Sequence, residues 1–148
     1  MWGAAAKAKL TEALAASEFK FAPAVGHKVS PWLDRQAAAW SDASADLCRH
    51  ETIAQDWSVE ELDRGRWCLE ARRMELDVFV AALGEADEEL LHQGVQRAAS
   101  LEPVLACTDR VALGRLPEPP PRAAREEIRA SLAALSRADY LDSAGRTA

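Results

Sequence analysis

The chain has 148 residues, of which 49% are hydrophobic and 28% charged, with a net charge of −6. That length suits one domain with a sizeable core, and the composition is globular rather than disordered. The acidic balance, with a pI near 5.1 and no separate basic face, argues against nucleic acid as a partner.

Much of the apolar fraction is alanine, so the five tryptophans and three phenylalanines must supply much of the core volume. Residues 4–17 predict an alanine-rich helix with Ala6, Leu10, Ala13 and Leu14 on one face. Lys7 and Lys9 near its start and Glu18 near its end oppose the helix dipole, which predicts a frayed beginning. Phe19 and Phe21 then read as plugs for the end of a bundle. Gly26 and Pro31 predict a break, with Ser30 capping a fresh helix that carries Pro31 at its first position. That helix presents Leu33, Ala37, Trp40, Ala43 and Leu47 and runs to about residue 51. Trp32 and Trp40 read as core residues.

Residues 58–84 give the clearest helix. Ser58 and Glu61 have the spacing of a capping box, and Gly84 offers a left-handed ending. Leu62, Leu69, Leu76 and Leu83 recur every seven residues between them. At 1.5 Å per residue the rod is roughly 40 Å long. Folding it back on residues 31–51 predicts a long antiparallel hairpin. Gly65 is out of place in a helix interior, where it costs roughly 1 kcal/mol against alanine, so a close crossing is expected there. Glu60–Arg64, Asp63–Arg66 and Glu70–Arg73 are spaced to pair along a solvent face. Arg64, Arg66, Arg72 and Arg73 read as that face, with an anion or partner surface as the alternative.

Asp87 or Ala86 begins a further helix bearing Leu91, Val95 and Ala98, and Thr108 or Asp109 caps a short one with Val111 and Leu113. Residues 117–121, Pro-Glu-Pro-Pro-Pro, form a stiff linker. Residues 122–139 predict a last helix with Ala124, Ile128, Ser131, Leu132, Leu135 and Ala138 on one side, followed from Tyr140 by a frayed tail. The expected fold is all-α: a bundle of antiparallel helices over residues 1–116, the linker, and a C-terminal helix with its frayed tail over residues 122–148.

Three cysteines lack any C-x-x-C spacing. Cys48 and Cys68 each lie ten residues from Ser58, so the hairpin would set them at equal height. That geometry permits a disulfide, while two buried thiols are the preferred reading in a reducing cytoplasm. No phosphate loop, dinucleotide fingerprint, zinc-protease motif or nucleophile elbow occurs, and His27, His50 and His92 share no helical spacing. No cofactor or metal is expected, and an enzyme is disfavoured. No apolar run reaches the ~20 residues of a membrane helix and no secretory signal pattern opens the chain, so it reads as cytoplasmic without membrane insertion.

Trp2, Leu33-Asp34 at its spacing from Phe19, Ala39-Trp40, Cys48, Ser58, Leu62-Asp63, Cys68-Leu69, Arg72-Arg73, Ala86-Asp87, Leu101-Glu102-Pro103, Cys107, Asp109 and Leu113 follow one order. In that order the chain resembles the helical region that follows the kinase domain and precedes tetratricopeptide repeats in large serine/threonine protein kinases of myxobacteria. It departs from the pattern at Gly65, where arginine is usual, and at Glu51, where threonine is usual. No kinase glycine-rich loop, H-R-D or D-F-G is present. The resemblance implies a non-catalytic interaction or sensory module whose partner is a serine/threonine kinase or a tetratricopeptide repeat region. A small-ligand or anion-binding bundle is the alternative. Leu135, Ala138, Leu141 and Gly145-Arg146 are similar to the first helix of a tetratricopeptide repeat, which needs further repeats to cover its face. The chain is therefore expected to be a fragment or a shortened paralogue. If the region lies beyond a membrane helix, in an extracytoplasmic, oxidising compartment, the Cys48–Cys68 bridge becomes the preferred reading.

Overall fold

A computed structural model describes residues 1–142. The fraying expected from Tyr140 does not begin there, since the last helix runs to Asp142 with Tyr140 buried; the rest of the expected tail, with the Gly145-Arg146 pair, lies outside the described residues. The fold is all-α, with no strand among the described residues. It comprises α1 (Ala4–Ala15), α2 (Ala22–Arg49), a π-helical turn (His50–Ala54), α3 (Val59–Gly84), α4 (Glu88–Ala99), a 3-10 turn (Val104–Cys107), α5 (Arg110–Leu113) and α6 (Arg125–Asp142). Among the described residues no helix is long and apolar enough to cross a membrane.

α3 begins as its sequence dictates. The Ser58 amide donates to Glu61 Oε2 at 2.7 Å, and the Glu61 amide donates back to Ser58 Oγ at 3.1 Å. These two bonds satisfy donors that a helix start otherwise leaves open. Leu62, Leu69, Leu76 and Leu83 are all buried, so the heptad stripe is the inner face. Gly84 does close the helix, but not in the left-handed conformation expected of it; the one non-glycine residue with positive φ among the described residues is Gln55, at 50°.

α2 departs most from expectation. Gly26 and Pro31 do not interrupt it, and the helix runs unbroken for 28 residues. Pro31 forfeits the bond to the His27 carbonyl and crowds it, a cost of about 3 kcal/mol. Val29 and Leu33, on either side, are both fully buried, each contributing roughly 1.5–3 kcal/mol, which outweighs that loss. Ser30 accordingly caps nothing; its hydroxyl donates to the Gly26 carbonyl one turn back at 2.9 Å. Gly26 itself marks a crossing, because a Cβ there would meet Leu14 Cδ1 of α1 at 2.6 Å.

The α2–α3 hairpin carries two cores. Towards the turn lie Ala43, Leu47, Trp57, Leu62, Cys68, Leu69, Val104, Cys107 and Leu113. Towards the open end Val29, Leu33, Leu76, Phe79 and Leu83 are covered by Leu10 and Leu14 of α1 and by Leu90 and Leu91 of α4. Phe19 and Phe21 pack against this second core, Phe21 stacking on the His92 ring at 4.8 Å. The start of α1 is pinned rather than loose: buried Trp2 donates Nε1–H to Asp34 Oδ1, and Lys7 Nζ donates to Asp34 Oδ2, each at 2.7 Å. Trp32, by contrast, is 38% exposed, with the Arg35 guanidinium 4.3 Å from its ring centre, and is not a core residue. Trp40 is half-buried and ties the hairpin together by donating Nε1–H to the Leu69 carbonyl at 2.7 Å.

Candidate interaction surface

Gly65 is buried where three elements meet. A Cβ there would lie 2.7 Å from Leu47 Cδ1 and 3.1 Å from the Cys107 carbonyl oxygen. The missing side chain admits both α2 and the Val104–Cys107 turn to the α3 backbone, the close crossing that the sequence predicted. Cys68 lies three residues on, hence on the same face of α3. It is disulfide-bonded to Cys107, with alpha carbons 5.4 Å apart. Both readings of Cys48 and Cys68 are therefore corrected: they are neither the preferred pair of buried free thiols nor bridged to each other. Equal height along the hairpin is insufficient, because the inward positions near the end of α2 are Ala43 and Leu47, which leaves Cys48 an exposed free thiol.

The four arginines singled out in the sequence are each committed to an acceptor. Arg64 donates to the Leu113 carbonyl at 3.4 Å and to Glu118 at 3.0 Å. Arg66 pairs with Glu51 across the hairpin turn. Arg72 meets Glu75 at 3.0 Å and Glu102 at 3.9 Å, and Arg73 meets Asp77 at 3.7 Å. Arg72 Nε is buried and has no hydrogen-bond partner among the described residues. The structure does not gather the four onto one cationic patch, since carboxylates lie between them and neutralise each in place.

None of the three ion pairs expected within α3 forms among the described residues. Two of their carboxylates, Asp63 and Glu70, reach instead for α6. Asp63 takes a bidentate pair from Arg125, at 2.9 and 2.6 Å, and Arg125 also donates Nε–H to the Pro120 carbonyl at 2.9 Å. The same guanidinium lies 5.6 Å from the Trp67 ring centre. Hydrogen bonding from Arg125 holds the Asp63 carboxyl below its usual range. Further along, Glu70 pairs with Arg129 at 3.0 Å and Glu85 with Arg137 at 2.7 Å. Both sets of numbers rise together, so α6 runs parallel to α3, returned to its start by α5 and the Pro117–Pro121 segment. Arg125 and Arg129, one turn apart on α6, are the only sequence signal that could have pointed to this contact.

This arrangement splits the apolar side read from the sequence of α6: Ala124 and Ile128 are half-buried, whereas Leu135 and Ala138 are exposed. Arg125, Ile128, Arg129, Ala133 and Ser136 are half-buried and Tyr140 is 8% exposed, tilted against Phe79 with ring centres 5.6 Å apart. Burial pushes the Tyr140 phenol up to about 12. Ser131, Ala134, Leu135 and Ala138 are exposed instead, Leu135 at 67%, while Leu132, at 38%, lies at the edge of the groove towards α3. The cause is electrostatic: α3 offers α6 a row of carboxylates, and the arginine edge of α6 answers it. Two open grooves flank the contact, of about 670 and 520 Å³.

At the other end of the hairpin, His50 Nδ1 lies 2.7 Å from Asp56 Oδ1 and its ring stacks on buried Trp57 at 4.8 Å. Arg110 lies 5.3 Å from the same indole centre and donates to the Asp56 carbonyl, closing the turn with α5. The His50 hydrogen bond keeps the Asp56 carboxyl below its usual range. These residues are used up in holding one another.

No protein-family model matches this chain, nor does any curated protein or solved structure.

Proposed function

We propose that this chain is a non-catalytic helical interaction module of serine/threonine kinase signalling, and that it recruits a protein partner through the outward face of α6. The observation that carries the reading is Leu135, 67% exposed on α6 with Ala138 exposed beside it and Leu132 at the edge of the groove towards α3, on a helix whose other edge is already engaged. Large apolar side chains grouped along one helix suit a partner that brings an apolar helix of its own. The small residues next to them allow such a helix to approach closely. The ordered resemblance from Trp2 to Leu113 to the helical region of myxobacterial kinases supplies the setting, with a kinase or a tetratricopeptide repeat helix as the partner. The similarity of Leu135, Ala138 and Leu141 to the first helix of such a repeat favours the same partner class.

The test compares pull-downs by the native chain and by Leu135→Glu, a surface change that leaves the fold intact. Recovery of a serine/threonine kinase or a tetratricopeptide repeat protein by the native chain, lost in the variant, supports the reading. Equal recovery by both, or recovery of neither class, refutes it.

A further inference from the structure

α6 is attached unlike α1 to α4. Those helices bury leucine, valine and phenylalanine side chains in the two cores. Of the α6 residues up to 140, Tyr140 alone is buried. Beside the half-buried Ile128 and Ala133, a row of ion pairs spans the rest of the contact: Asp63–Arg125 at the start, Glu70–Arg129 in the middle, Glu85–Arg137 and Arg97–Asp139 towards the end. Apart from Asp63–Arg125, each pair has at least one partner that is more than 40% exposed, so water and salt reach it. The covalent loop closed by Cys68–Cys107 ends before α6 begins, and Pro117–Pro121 joins the two without helical structure.

We propose that α6 is a releasable strap, lifting from α3 as one unit about the proline segment while the disulfide-closed body stays folded. Its clasp is the ion-pair row, and its release uncovers Met74, the Phe79 ring under Tyr140 and the carboxylate of Asp63. This inference is independent of which partner binds the outer face. Exposed ion pairs are individually weak and salt-screened, whereas the apolar cores are not. Ionic strength therefore separates the strap from the body, and local opening of one segment below global unfolding is a measurable event.

The experiment is hydrogen–deuterium exchange on the full chain, disulfide intact, at neutral pH in 10 mM and in 1 M NaCl. Across that range the screening length falls from about 30 Å to about 3 Å. Peptides of α6 are expected to exchange about tenfold faster at high salt, with peptides of α2 and α3 unchanged. Asp63→Asn is expected to speed α6 exchange at low salt and to shrink its salt response. Three outcomes overturn the proposal: α6 exchanging as slowly as α3 at both ionic strengths, α6 and α3 accelerating together, or α6 exchanging fast regardless of salt.

Discussion

Gly65→Ala inverts the usual effect of replacing a helix glycine. In an open helix interior alanine is favoured by about 1 kcal/mol. At Gly65 the added methyl would press on Leu47 Cδ1 at 2.7 Å and on the Cys107 carbonyl oxygen at 3.1 Å. The Leu47 side chain has little room to swing, because it is itself buried in the turn-end core. The carbonyl belongs to a backbone tied to α3 by the neighbouring disulfide. Overpacking of this kind costs about 1–3 kcal/mol, so the variant should lose about 1 kcal/mol net. Gly84→Ala is the internal control. Its nearest neighbours, Leu10 Cδ1 and Ala13 Cβ, lie at 3.8 and 3.9 Å, an ordinary contact, and its backbone is not left-handed. That variant should gain up to about 1 kcal/mol. Urea denaturation of both variants, disulfide intact, reads the two signs directly. A Gly65→Ala protein more stable than the native chain would refute the three-way crossing.

Non-reducing thiol counting on the denatured protein should find one free thiol, Cys48. Reduction, or Cys107→Ala, should cost about 4 kcal/mol on the chain-entropy estimate for a 39-residue separation, measured by the shift in urea midpoint. Tyr140 is the sole tyrosine, so alkaline absorbance titration reports α6 docking alone. Its folded value near 12 exceeds the ordinary 10, so the stability it contributes is complete below pH 10 and is lost as pH rises through about 12. A titration midpoint near 10 in the native protein would contradict the packing on Phe79. Asp63 has the opposite sign. Its carboxyl is depressed by Arg125, so its contribution is present above pH 3.8 and fades as pH falls below that value. Asp63→Asn should remove this acid-sensitive step from the exchange of α6, and Arg125→Ala should loosen α6 by about 2 kcal/mol.

Short-range chemistry was readable in the chain, and long-range partnership was not. Ser58 with Glu61, the leucine heptads and the anomalous Gly65 each state a local requirement, and the structure meets all three. Pro31 misled because burial of Val29 and Leu33 outweighs a local helix-breaking cost, which no local pattern can weigh. Cys107 sits in a short 3-10 turn with no periodicity to show which way it points, so its bond to Cys68 left no trace in spacing. Asp63 and Glu70 looked satisfied within their own helix, which concealed their role towards α6. The apolar side of α6 was read as one stripe, whereas the contact with α3 divides it: Ile128 is half-buried and Leu135 stays exposed. The exposed position of Leu135 is the basis of the functional proposal.

The most direct measurement of that proposal is site-specific photo-cross-linking in native lysate, with a photoreactive residue at Leu135 and a control at exposed His92 on α4. The account predicts an adduct with a serine/threonine kinase or tetratricopeptide repeat protein through position 135 and none through position 92. Identical adducts from both positions, or no adduct of either class at 135, would contradict it.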